Sequence, residues 1–195
     1  MFSFIFSMMI FNANAGYPAS DLAGAGWKVL VEGETWVGCS QQPEITWCRS
    51  VATIDAPQAK LSELLHSFET YPDTFKRVYK TKVLAPNVVH VLLDMPFPFK
   101  YRDYIAHFVE TQENGDLIFT FNAVEHADAA VPDQASVRLP RAAGRWRLTP
   151  VGTGQTKVTY TWNGELLGKI PPFGLPEAWT TQGVEVMEWL TEAVQ

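Results

Sequence analysis

The alternation of apolar and polar positions divides this chain into a strand-rich body and two helices. Residues 27–33 and 34–39 read as a short strand pair. Residues 45–54 read as a third strand, in which Thr46, Cys48 and Ser50 alternate with Trp47, Arg49 and Val51. The period then changes. Asp55 is placed to cap a helix, Pro57 suits its first turn, and Leu61, Leu64, Leu65 and Phe68 recur at helical spacing until Tyr71-Pro72-Asp73 stops it. Strands follow at 78–84, 88–95, 103–110, 116–124, 136–139 running on to 146–149, and 156–162, with Asn114-Gly115 and Gly152-Thr153-Gly154 as hairpin turns. Neighbouring strands without helices between them predict an antiparallel meander. A second helix begins near Pro176 and gathers Trp179, Gly183, Val186, Met187, Leu190 and Val194 on one face. This order predicts an α+β domain whose sheet curls around its last helix.

Composition sharpens the question of what that sheet encloses. Of 195 residues, 47% are hydrophobic and 18% charged, and Trp 7, Tyr 6 and Phe 12 make an aromatic surplus. The charged fraction lies below the roughly 25% usual for soluble domains. Either an aromatic solid core or an internal cavity with an aromatic wall must absorb that surface. A net charge of -6, with only 15 Lys and Arg, excludes a nucleic-acid partner, because phosphate binding needs clustered positive charge. The same balance disfavours electrostatic attachment to anionic lipid and leaves brief contact through exposed apolar side chains.

Residues 1–15 read as a secretory signal peptide. An apolar run is followed by Ala13-Asn14-Ala15, a small-residue cleavage site ahead of Gly16, although no Lys or Arg precedes the run. Phe2, Phe4, Phe6 and Phe11 would leave with it. A buried N-terminal element is the competing account. Export predicts a secreted or periplasmic protein, with 16–195 as a single domain. It also makes Cys39 and Cys48, nine positions apart, a disulfide stapling a hairpin. Two cysteines without companion ligands make a poor zinc site, so no metal is expected.

Catalytic chemistry leaves no motif. The sequence has no Gly-x-Ser-x-Gly elbow, no phosphate loop and no His-Glu-x-x-His. His66, His90, His107 and His126 fall in different predicted elements, and structural roles suit them best. No catalytic residue and no cofactor is expected.

Three segments together carry a resemblance. They are Asp94-Met95-Pro96 through Arg102-Asp103-Tyr104, then Val137-Arg138-Leu139-Pro140 through Gly144-Arg145-Trp146 to Pro150, and the helix start at Ser50 to Pro57. In this order they resemble the START lipid-transfer domain family, especially its small secreted bacterial branch, across about 26–195. The resemblance implies the helix-grip fold, a curved antiparallel sheet wrapped around a long C-terminal helix with an apolar cavity. It also implies binding, and transfer, of a lipid or other hydrophobic small molecule without chemistry. Sterol-binding members carry an acid–arginine pair in the cavity. Here the arginine's counterpart is Phe108 and the acid's falls within 89–91, all apolar apart from His90, which implies a more uniformly apolar cavity.

The ligand-binding candidates are Tyr104, Phe108, Phe119, Phe121, Tyr160, Trp162, Trp179, Met187 and Arg102. Alternation groups Leu117, Phe119, Phe121 and Ala123, then Val158, Tyr160 and Trp162, then Tyr104, Ala106 and Phe108, and ordinary core packing accounts for any one of them equally well. Arg102 and Asp103 either pair to fix a turn or send an arginine to a ligand head group. Phe97-Pro98-Phe99 and the stretch Lys169 to Gly174 either pack on helix ends or offer apolar contact at a cavity mouth, so transient membrane contact through Phe97 and Phe99 is an expected partner interaction. Oligomeric state is not legible. The competing readings are a cyclase or aromatase of the same fold acting on an apolar substrate, and an assembly factor with a filled core.

Overall fold

The computed structural model describes residues 16–18, 22, 24–41, 45–129, 136–168 and 171–195. The expected signal peptide, residues 1–15, lies outside them, as do Lys169 and Ile170 of the loop before the last helix. In chain order the elements are β1 (Lys28–Val31), β2 (Trp36–Gln41), β3 (Thr46–Ile54), α1 (Gln58–His66), α2 (Tyr71–Thr74), β4 (Val78–Ala85), β5 (Val88–Leu93), β6 (Tyr101–Glu113), β7 (Asp116–Ala123), β8 (Ser136–Arg138), β9 (Ala143–Val151), β10 (Gln155–Asn163) and α3 (Leu175–Ala193). The strands form one curved sheet in the order β1-β2-β3-β10-β9-β7-β6-β5-β4, with β8 beside β6. This is the helix-grip architecture.

The expected meander departs from the structure in two places. The first three strands join the sheet through β3 and β10, paired from Thr156 opposite Ile54 to Asn163 opposite Trp47, so the chain's third and last strands meet mid-sheet. Residues 136–139 do not run on into 146–149. β8 instead lies parallel to β6, with Arg102 opposite Val137 and Asp103 opposite Arg138, and β9 starts afresh at Ala143. The helical segment also differs. Pro57, not Asp55, holds the N-cap position, and Asp55 accepts a hydrogen bond from Gln155 at 2.5 Å. Tyr71-Pro72-Asp73 opens α2 rather than ending helical structure, because proline in a first turn forfeits no helical hydrogen bond.

One sheet face carries nearly all the apolar bulk. Register places Cys48, Ser50 and Ala52 of β3 beside Trp162, Tyr160 and Val158 of β10, and these beside Gly144, Trp146 and Leu148 of β9. Phe119 and Phe121 of β7 continue the row to Phe108 and Tyr104 of β6. The stripe expected on α3 is buried against this face, including Trp179, Met187 and Leu190. Cys39 and Cys48 are a directly opposed cross-strand pair and form the expected disulfide. The opposite face holds a smaller cluster, in which Leu22 packs with Trp47 and Ala143.

α3 can approach the sheet because position 183 has no side chain. A Cβ there would meet the two γ-methyls of Val37 at 2.8 and 2.9 Å and the Trp162 ring at 3.1 Å. Val37 is β-branched and fully buried, so it has little freedom to yield. Polar ties fix the helix further along. Arg77 donates two hydrogen bonds to Glu185 at 2.6 and 2.8 Å, Lys76 pairs with Glu192 at 2.7 Å, and Lys60 donates to the Val194 carbonyl. Substituting Gly183→Leu is expected to destabilise the fold by about 1–3 kcal/mol through overpacking. A urea-denaturation midpoint equal to that of the parent would contradict this seating of α3.

Candidate functional site

The inner face of the sheet is lined by a connected set of rings rather than by scattered aromatics. Tyr160 stacks on Trp146 at 3.9 Å and on Trp162 at 5.0 Å. Trp146 continues to Phe75 at 6.1 Å, Phe75 to Tyr71 at 5.1 Å, and Tyr71 to Phe68 at 5.6 Å. Phe68 meets Phe108 at 4.7 Å, Phe108 meets Phe121 at 5.5 Å, and Phe121 stacks on Tyr104 at 6.1 Å. The wall therefore runs across β10, β9, β7 and β6 and closes through the helical segment. Gly144 makes room for it, since a Cβ there would lie 2.6 Å from the Phe121 ring.

Of the predicted residues, Tyr104, Phe108, Phe121, Tyr160 and Trp162 belong to this wall. Phe119 is buried on the same face but turns its ring to His66, 4.7 Å away, whose Nε2 pairs with Glu110 at 2.7 Å. Met187 is buried on α3. Trp179 stands at one end of the interior, where its indole N–H donates to the Gly164 carbonyl at 2.9 Å. Sequence reasoning missed Phe68, Tyr71, Phe75 and Trp146 as wall residues. For Trp146 the signal was available: Gly144, Trp146 and Leu148 alternate as regularly as the chosen strands do.

The polar groups inside the wall are phenols. Burial raises Tyr71, Tyr104 and Tyr160 above the ordinary tyrosine range, and their mutual proximity adds to the rise for Tyr71 and Tyr160. They are neutral hydrogen-bonding groups at physiological pH. Tyr71 donates to the Leu65 carbonyl at 2.6 Å, and the Gln182 side chain of α3 partly offsets the rise at Tyr160.

Arg102 and Asp103 do not pair with each other; they serve different faces. Asp103 is buried with β8, where its Oδ2 accepts from Arg138 at 2.6 Å and lies 2.8 Å from His90. Arg102 is 1% exposed and, among the described residues, donates to backbone carbonyls, those of Lys100 and Tyr101 where the loop enters β6 and those of Leu166, at 2.6 Å, and Leu167, at 2.9 Å, on another loop. Burial lowers its pKa from the usual arginine value. The guanidinium thus ties the loop carrying Phe97 to the loop that precedes Phe173.

At this end a cleft of about 240 Å³ is lined by Thr46, Gly164, Leu166, Leu175 and Trp179 among others. Phe97 is 97% exposed and Phe173 88% exposed, whereas Phe99 is half-buried. Among the described residues, no cluster of three His, Cys, Asp or Glu could hold a metal, and no helix is long and apolar enough to cross a membrane.

No protein-family model matches the chain. A Pseudomonas aeruginosa protein described as uncharacterized is 35% identical over 79 residues, a stretch that is 40% of this chain and 39% of that relative's length. The STAR-related lipid transfer protein of Xanthomonas axonopodis superposes with TM-score 0.76 at 20% identity, covering 87% of this chain and 98% of that one. Human STARD10 gives 0.74 at 19% identity, covering 87% and 73%. The Zhui aromatase/cyclase of a Streptomyces species gives 0.56 at 16% identity, covering 76% and 92%. The chain has the START-domain fold.

Replacing Arg102 by Ala is expected to cost at least about 2 kcal/mol of stability, since several carbonyls lose a charged donor. Amide exchange should accelerate selectively in 164–168, as followed by hydrogen–deuterium exchange. A variant with the parent's melting temperature and exchange pattern but no ligand binding would instead assign Arg102 to the ligand.

Proposed function

We propose that this protein is an exported carrier that binds a lipid or other hydrophobic small molecule between its sheet and α3, and releases it without chemistry. The observation that carries this reading is the aromatic wall. Tyr104, Phe108, Phe121, Trp146, Tyr160 and Trp162 come from four strands, yet their rings share one face and are linked through the helical segment that carries Phe68, Tyr71 and Phe75. Such a surface favours an apolar molecule by burial, at roughly 25 cal/mol per Å² removed from water. The START fold supports the same reading, because two of the proteins that share it are described as lipid-transfer proteins.

Release needs an opening, and the cleft end supplies the place. The loop 164–168 is held by the Trp179 indole, by Arg102 and by the Gly164 amide, which donates to the Thr46 carbonyl at 2.7 Å. Phe97 and Phe173 flank it, each far more exposed than an isolated phenylalanine needs to be. We assign them the transient membrane contact first expected of Phe97 and Phe99. Phe173 replaces the half-buried Phe99 in that role. Export to the periplasm or beyond rests on the signal-like residues 1–15, and the Cys39–Cys48 bridge agrees with it.

The aromatase/cyclase likeness favours a second reading, an enzyme on an apolar substrate. That reading would have to draw acid–base chemistry from Tyr71, Tyr104 and Tyr160, whose burial makes proton release harder. The carrier reading asks of them only neutral hydrogen bonds.

Native mass spectrometry of protein purified from its own host should reveal a co-purifying apolar molecule. Phe97→Ser combined with Phe173→Ser should slow lipid transfer between vesicles severalfold while leaving the bound mass unchanged. Equal transfer rates would remove the proposed membrane contact, and a protein that carries no apolar molecule and accepts none would remove the carrier reading.

A further inference from the structure

The inner face of β3 and β10 holds two buried polar atoms with no hydrogen-bond partner among the described residues. These are the Ser50 hydroxyl, on a side chain 0% exposed, and the Trp162 indole N–H, on a side chain 3% exposed. An unmade hydrogen bond of this kind is costly in an interior, so such groups call for a partner.

Their placement follows from the register. Thr46 and Gly164 line the cleft, and the Gly164 amide bonds to the Thr46 carbonyl. Two residues inward on the same face, Cys48 lies opposite Trp162. Two residues further, Ser50 lies opposite Tyr160. Successive same-face positions on a strand are about 6.8 Å apart, so the backbone positions that carry the indole and the hydroxyl lie roughly 7 and 14 Å along the strands from the cleft. Tyr160 stands opposite Ser50 at the deeper step and adds its phenol there.

We propose that this row is a subsite for the polar head of the ligand, and that the head is uncharged and oxygen-bearing, a hydroxyl or a carbonyl. The inference deepens the carrier reading and rests on it. An indole N–H only donates, so the ligand must present an acceptor; the serine hydroxyl can donate or accept. Among the described residues no uncommitted charge stands ready to balance an ionised head. Arg102 is committed to backbone carbonyls, Glu165 of the cleft lining to Arg141, Glu185 to Arg77 and Glu110 to His66, while Glu177 and Glu188 of α3 are exposed. The β2 residues packed beside Ser50 and Cys48 are Val37 and Cys39. A carboxylate or phosphate would be buried here without a counter-ion, which strongly disfavours binding. A hydrocarbon would leave both orphans unpaired.

The test compares three probes of equal chain length, decane, decan-1-ol and ionised decanoate at about pH 8, by displacement of the neutral dye Nile red from the intact protein. The parent should bind the alcohol at least about tenfold more tightly than the carboxylate. At least one of Ser50→Ala and Trp162→Phe should weaken the alcohol about fivefold, the equivalent of the one net hydrogen bond that a single hydroxyl oxygen makes with the row, and leave decane unchanged. An alcohol-to-decane ratio that is the same in the parent and both variants overturns the subsite while the carrier reading stands. Decanoate binding as tightly as the alcohol to the parent overturns it without reference to any variant. Displacement by none of the three overturns both readings.

Discussion

A single helix about 10–12 Å across has to bury the apolar face of a sheet whose strands lie roughly 4.8 Å apart, and that mismatch of widths governs the molecule. α3 covers the β1–β3 side, where Gly183 lets it sit directly on Val37 and Trp162. The strands beyond cannot be reached by the same backbone. Their inner face is filled instead by the largest side chains available, and by the short helical segment that brings Phe68, Tyr71 and Phe75 over Phe108 and Trp146. Curvature, the aromatic surplus and the ring-lined interior are three consequences of one helix serving a wide sheet.

The buried arginine solves a second problem created by that arrangement. Loops at the open end of a gripped helix expose backbone carbonyls to an interior that excludes water, and such groups require donors. Arg102 supplies a planar fork to both loops at once, so the end of the sheet is held by hydrogen bonds, those of Arg102 with those of the Trp179 indole and the Gly164 amide, rather than by packing. A loop held by a few hydrogen bonds opens at lower cost than a packed core does, since each bond contributes about 1–3 kcal/mol net. The same loops present Phe97 and Phe173 outward, so on the carrier reading the surface that meets a membrane is mechanically continuous with the closure it must release.

Much of this was legible in the sequence because it depends on period and register. Tyr104 to Phe108, Phe119 with Phe121, and Tyr160 with Trp162 share a face by alternation, and any antiparallel pairing with one buried side brings those faces together. The stripe on α3 and the Cys39–Cys48 pair follow equally from local spacing. What stayed hidden is non-local. Arg102 finds its carbonyls 65 positions away at Leu167, in a loop whose path no pattern encodes. β8 lies parallel to β6 over three residues, too few for alternation to signal. Tyr71-Pro72 reads as a terminator locally and forms a helical turn because Phe75 and Trp146 hold it in place.

The choice between a solid core and a lined interior turns on polar atoms rather than on rings. Aromatic packing alone would look alike in both, since burial stabilises a phenyl ring against protein or ligand to a similar degree. Polar groups differ, because a core evolved to be filled permanently gains nothing from an indole N–H and a hydroxyl left without partners. Ser50 could be Ala at no loss to any ring contact, and the Trp162 N–H takes no part in the stacking of that ring on Tyr160. Their presence on the row that leads inward from the cleft, beside the Tyr160 phenol, is what a site for an oxygen atom would require.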